Sequence, residues 1–166
     1  MSVAEFIPRK RPGNILKAFA QLARPQVHLA LVGDGIILEE MRELASELGI
    51  QKQVHFLGLR RDIPILMRAS VATLIASSQE GLPNCVMESF CIEVPVIGTE
   101  IRGTRDLLEN GNGLLVKLGD INEIASAMTW ILDHPEEAQH MGKGGRENMV
   151  NYDLPHILKA IRGFIC

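Results

Sequence analysis

Aromatic residues make up only 4% of this 166-residue chain, and there is no cationic surplus, since 17 Lys and Arg face 20 Asp and Glu for a formal charge of −3. A nucleic-acid surface needs a basic stripe with aromatics interleaved, so no nucleic-acid partner is expected. Cysteine is nearly absent. Cys85, Cys91 and Cys166 are odd in number and have no CxxC spacing, which excludes a disulfide framework and a zinc site. No apolar run comes near the roughly 20 residues of a membrane span. The N-terminus MSVAEFIPRKRP puts its charge after a short apolar stretch, the reverse of a signal peptide. The expectation is a cytoplasmic protein with reduced thiols. What remains, 46% hydrophobic and 22% charged residues, is the balance of one globular domain spanning residues 1–166.

Short β-branched runs alternate with longer helical patterns, each run closed by a glycine or polar turn. The predicted strands are 2–7 (SVAEFI), 27–32 (VHLALV), 53–58 (QVHFLG), 71–76 (VATLIA), 95–98 (PVIG) and 113–117 (GLLVK). Most are apolar throughout, as strands covered on both faces should be. Between them, 12–22 carries Ile15, Leu16, Phe19 and Leu22 at helical spacing, and 36–48 carries Leu38, Met41, Leu44, Ala45 and Leu48 before Gly49. Asp62 is expected to cap a short helix IPILMRA, and Asp120 to cap INEIASAMTWILDH with Glu123 completing a capping box. Two more helices are expected over 136–150 and 154–164. The fold class is α/β, a Rossmann-like three-layer domain with a mostly parallel six-stranded sheet and C-terminal helices.

Ligands of such sheets bind beyond the carboxyl ends of the strands, where three loops are informative: 8–11 (PRKR), 33–35 (GDG) and 77–84 (SSQEGLPN). The turn at Gly33 brings backbone N–H groups near a possible phosphate, but the third glycine of the dinucleotide fingerprint is missing, which disfavours an NAD-dependent enzyme. Lys10 is either a phosphate-binding cation or part of a solvated basic loop. Glu80 and Glu88 are separated by seven residues around Gly81 and Pro83, and a helix opening there leaves the amides of residues 82–85 free for an anion. Two carboxylates flanking such amides suit a ligand with hydroxyls on both sides of a diphosphate. An ordinary loop end and a solvated helix residue remain open as the alternative. Cys85, within this stretch, reads as a space-filler rather than an activated thiol. No His or further carboxylate clusters with the pair, so no metal is expected.

With these motifs in order, SSQEGLPNCVMESFCIEVPVIGTEIRGTRDLLENGNGLLVKLGD resembles the donor-binding signature of the retaining GT-B glycosyltransferases of family 4, the glycosyl transferases group 1. VAEFIPRKRPGNILKAF is similar to that family's first strand, lysine loop and helix, and LALVGDGIILEEMRELASELGI and VHFLGLRRDIPILMRAS to its next two units. The resemblance implies a UDP- or GDP-sugar as donor substrate, with no other cofactor. It implies that Lys10 holds the donor diphosphate and Glu80 contacts the transferred sugar, the two carrying the catalytic roles. Glu88 would bind the ribose. Gly81, Leu82, Pro83, Asn84, Cys85 and Val86 would line sugar and phosphate, Gly33 would lie in the same cleft, and Gly58, Leu59 and Arg60 would lie where the base sits.

The resemblance further implies a metal-independent, configuration-retaining hexosyl transfer to a glycan or lipid-linked acceptor. Surface polysaccharide biosynthesis is the expected setting. The acceptor would be held by an N-terminal domain absent from residues 1–166, so that this domain alone would be weakly active or inactive. Peripheral membrane association would be possible for the full-length enzyme. One departure stands out: many members carry an arginine five positions before the lysine, and here that residue is Glu5. A non-catalytic Rossmann-like binding or assembly module is the alternative reading.

Overall fold

The computed structural model describes residues 1–152. Six strands form, β1 Ser2–Val3, β2 Leu29–Val32, β3 Val54–Phe56, β4 Thr73–Ile75, β5 Val96–Thr99 and β6 Gly113–Val116. Every ladder between them is parallel, with Leu31 opposite Ser2 and Phe56 in one set, and Gly98 opposite Ile75 and Leu115 in the other. The sets β1-β2-β3 and β4-β5-β6 are separate three-stranded sheets. They meet at one seam, where the Leu74 N–H donates to the Met1 carbonyl at 2.8 Å and a Met1 N–H donates to the Ala72 carbonyl at 2.7 Å. The resulting order, β3-β2-β1-β4-β5-β6, is that of a Rossmann-like fold.

The crossover helices are α1 Pro12–Gln21, α2 Leu38–Glu47, α3 Ile63–Arg68, α4 Asn84–Cys91 and α5 Arg102–Leu108, followed by α6 Ile121–Asp133 and α7 Pro135–Asn148. Successive strand residues point to opposite faces, so Leu74 joins one core and Ile75 the other. The first core packs Ile15, Leu16 and Phe19 of α1 with Met41 of α2 and Ile124, Met128 and Ile131 of α6. On the other face lie Val86 and Phe90 of α4 with Leu107 and Leu108 of α5. Nearby, Met67 of α3 packs with Met1 and Val32. Phe90 is wholly buried, a contribution of roughly 1.5–3 kcal/mol. Helix α7 carries Gly142 and Gly145 because it lies close to the Glu93 backbone and the Phe90 ring, where a Cβ would collide.

The three-layer class and the order of elements match the sequence-based expectation, while several boundaries do not. The first strand ends at Val3, not residue 7, because Phe6 turns into the core and its N–H bonds to the Asp34 carbonyl at 2.8 Å. The other strands are also shorter than expected at one or both ends, apart from β5, which runs on to Thr99. The sheet is two linked halves rather than one continuous ladder. Asp62 stands at the start of α3 without capping it, its carboxylate drawn to Arg60 instead. Asp120 does cap α6, accepting from the Glu123 N–H at 3.0 Å, but Glu123 reaches to the Lys117 N–H and ammonium, leaving the box half made. Helix α7 ends at Asn148 and continues as a 3-10 turn, Met149–Tyr152. The helix expected over 154–164, like Cys166, lies outside the described residues.

Candidate functional site

The carboxyl ends of the strands gather most of the residues singled out from the sequence. After β1 the chain makes a 3-10 turn, Pro8–Lys10, ended by Arg11 in the left-handed conformation at φ 49°, and this turn lifts Lys10 over the end of β4. The Arg9 carbonyl accepts from the Ser78 N–H at 2.8 Å and from its hydroxyl at 3.2 Å, tying the two loops together. Lys10 Nζ then meets Glu80 Oε1 at 2.5 Å. The side chains keep only 18% and 11% of their exposure, so the pair is largely withdrawn from solvent. A charge-assisted contact this short fixes both groups in one geometry.

Two residues distant in sequence hold the loop from behind. The Thr99 hydroxyl donates to the Ser77 carbonyl at 2.6 Å. Gly103, in the first turn of α5, lies so close to Gly81 that any Cβ there would overlap the Gly81 carbonyl oxygen. The hydroxyls of Ser77 and Thr104 are buried without a partner among the described residues. The Thr104 methyl lies against Gly98 of β5, and Gly103 serves close packing on Gly81. Neither Thr99 nor Gly103 was recognisable as a loop support from the sequence, because each acts on a segment about twenty residues upstream.

Helix α4 opens at Asn84 with Pro83 preceding it. Among the described residues, the backbone N–H groups of Gly81, Leu82, Asn84 and Cys85 find no acceptor, while those of Val86 and Met87 bond to the Pro83 carbonyl at 3.0 and 3.4 Å. Unpaired amides at a helix start attract an anion. Asn84 and Glu88 are both exposed, one helical turn apart on the outer side, whereas Pro83 and Val86 are buried beneath the loop. Burial pushes the Cys85 thiol up to about 11, with Glu80 raising it, Lys10 lowering it and Glu88 raising it further. Cys85 is therefore an unreactive space-filler, and it lies within the fields of all three charged residues.

An open cleft of about 310 Å³ adjoins the ends of β1, β2 and β3, lined by Glu5, Gly33, Asp34, Leu59, Arg60 and Ile63 among others. Gly33 takes φ 137° and presses on the Ala4 carbonyl, a conformation and an approach open only to glycine. Its N–H bonds to the Gly58 carbonyl at 2.9 Å, which joins the two predicted loops. Arg60 is engaged by Asp62 through two hydrogen bonds of 2.9 and 2.7 Å, which hold the Asp62 carboxyl below its ordinary range. Glu5 stands exposed on the cleft wall. No three metal-ligating side chains cluster among the described residues. No helix among them is long and apolar enough to cross a membrane.

The family Glycosyl transferases group 1 matches residues 1–148. The chain belongs to this family. It is 32% identical over 151 residues to the lipopolysaccharide core biosynthesis glycosyltransferase LpsE of Rhizobium meliloti, covering 90% of this chain and 44% of LpsE. To the Escherichia coli UDP-Gal:alpha-D-GlcNAc-diphosphoundecaprenol alpha-1,3-galactosyltransferase it is 27% identical over 155 residues, 90% of this chain and 40% of that enzyme. Its fold superposes with a TM-score of 0.91 on Anabaena HepE in complex with UDP, at 26% identity, covering 99% of this chain and 47% of HepE. This glycosyltransferase domain has the Rossmann-like architecture of GT-B enzymes, and it spans about half the length of the relatives it matches.

Proposed function

We propose that residues 1–166 are the nucleotide-sugar donor-binding domain of a retaining, family 4 glycosyltransferase that moves a hexose-type sugar from a UDP- or GDP-sugar to a glycan or lipid-linked acceptor. The setting would be surface polysaccharide or glycolipid synthesis in the cytoplasm. The observation that carries this reading is the Lys10–Glu80 contact at the edge of the unpaired amides of Gly81, Leu82, Asn84 and Cys85. Relatives named for lipopolysaccharide synthesis and a structural neighbour holding UDP support it.

In this scheme the amides and the Lys10 ammonium take the donor diphosphate and stabilise the charge that grows on it as the sugar leaves. Glu80, held by Lys10, accepts hydrogen bonds from sugar hydroxyls, and Glu88 accepts them from the ribose. The base would lie along Gly58, Leu59 and Arg60, with Gly33 giving the chain room to approach the phosphates. Transfer would need no metal, the acceptor attacking from the face the diphosphate leaves. Acceptor binding is assigned to a further domain closing over this one, which makes the isolated chain a binder of donor rather than an efficient catalyst.

Calorimetric titration with UDP- and GDP-sugars tests this. Lys10→Ala and Glu88→Ala should each weaken donor binding about tenfold or more, corresponding to loss of a charge-assisted hydrogen bond. Unchanged binding in both variants sinks the site assignment. A second reading, a non-catalytic binding or assembly module, draws on Glu5, an exposed carboxylate on the wall of the cleft. Donor binding without sugar transfer in the full-length protein would favour it.

A further inference from the structure

His28 stands immediately before β2, and His55 is the central residue of β3. Side chains alternate along a strand, so His28 shares a sheet face with Ala30, and Ala30 is the register partner of His55 in the parallel ladder. The two imidazoles, 27 residues apart in the chain, therefore meet on one face. His28 Nδ1 lies 2.9 Å from His55 Nε2, with ring centroids 5.1 Å apart and planes inclined by 27°. One ring donates its N–H and the other accepts it. Both residues are exposed. They bridge a weak place in the sheet, because β3 is the edge of its three-stranded set and is joined to β2 by a ladder of three residue pairs.

We propose that His28 and His55 form a divalent transition-metal site, suited to nickel(II) or copper(II), that staples edge strand β3 to β2. Imidazole is a ligand of the late first-row metals. At metal–nitrogen bonds of about 2.0–2.1 Å, two ligands at a right angle stand about 2.9 Å apart, and two tetrahedral ligands about 3.3 Å. The spacing of the two nitrogens is the right-angle one, which favours square-planar or octahedral ions over tetrahedral zinc. To bind, each ring turns about its Cβ–Cγ bond until the two lone pairs converge on one point, and the donating ring passes its proton through solvent to its other nitrogen. Among the described residues no third His, Cys, Asp or Glu clusters with the pair, so water fills the remaining positions. His28 lies at the amino end of β2, whereas the cleft adjoins the carboxyl ends, and neither histidine is placed in the donor site.

Calorimetric titration of the full chain with nickel chloride tests it, alongside melting followed by circular dichroism. His28→Asn and His55→Asn should each weaken nickel binding at least tenfold, since either change turns a chelate into a single imidazole. Saturating nickel should raise the Tm of the wild-type chain and leave that of both variants unchanged, because the ion binds only the pair that folding brings together. Zinc should bind more weakly than nickel. Both variants should keep wild-type circular dichroism and donor titration, which separates this proposal from the fate of the donor site. Equal nickel affinity in the wild type and both variants overturns it, since the ion would then sit elsewhere on the chain. Zinc binding tighter than nickel overturns the right-angle geometry, and nickel binding with no rise in Tm overturns the staple.

Discussion

The two halves of the sheet differ at their carboxyl ends. Beyond β1, β2 and β3 lies the open cleft, and large apolar side chains stand out around it, Leu59 keeping 80% of its exposure and Ile36 87%. Beyond β4 the largely buried Lys10–Glu80 pair closes beside a helix start where the amides of Gly81, Leu82, Asn84 and Cys85 find no acceptor among the described residues. Under the proposed function the amides would take the diphosphate that nucleotide-sugar donors share, and the side chains of both halves would meet the parts that differ, Glu80 the sugar and the cleft the base.

The seam between the halves should yield the largest effect. The Met1 amine is buried against the Ala72 carbonyl, and burial lowers it from 8.0 to about 5. A base whose value is lower in the folded chain is charged in the unfolded chain first, so the unfolded state binds the extra proton between pH 5 and 8. Stability of the chain with a free amine at Met1 should therefore be full above pH 8 and fall by about 4 kcal/mol as the pH drops to 5. Urea midpoints across that range measure it, and a residue added before Met1, which turns the amine into an amide, should flatten the slope.

Next in size, Gly103→Ala attacks the half that holds the Lys10–Glu80 pair. The new methyl would sit on the Gly81 carbonyl, so the loop must move, at a cost of about 3 kcal/mol in stability. Donor titration should weaken in the same variant, since the free amides follow Gly81. Smallest is Thr99→Val, which removes one donor to the Ser77 carbonyl and should cost about 1 kcal/mol by urea unfolding. A Thr99→Val protein that binds donor as wild type, beside a Gly103→Ala protein that does not, would show that close packing sets the loop more than the hydroxyl does.

The course of the chain was readable from the sequence wherever the signal was local. The alternation of apolar runs and amphipathic stretches gives six strands and their crossovers. The strand-end rule brings Lys10 and Glu80 into one place although 70 residues separate them. The i, i+4 spacing puts Asn84 and Glu88 on one exposed face. What escaped depends on competition between distant groups. SVAEFI has the composition of a strand, yet Phe6 leaves it because the Gly33–Gly35 turn offers its N–H a partner. Asp62 has a capping position, but Arg60 two residues earlier offers its carboxylate two hydrogen bonds. The hold of Thr99 and Gly103 on the loop has no local signature, since it exists only once β5 and α5 are packed beside β4.

The Cys85 thiol has a practical consequence. Protonated at neutral pH and wedged among the fields of Glu80, Lys10 and Glu88, it is a poor nucleophile as long as the loop stays shut, whereas Cys91 at the far end of the same helix is open to reagent. The domain thus carries its own clock. In a Cys166→Ser chain, fast labelling would report Cys91, and the slow labelling that follows would report how often the surroundings of Cys85 open.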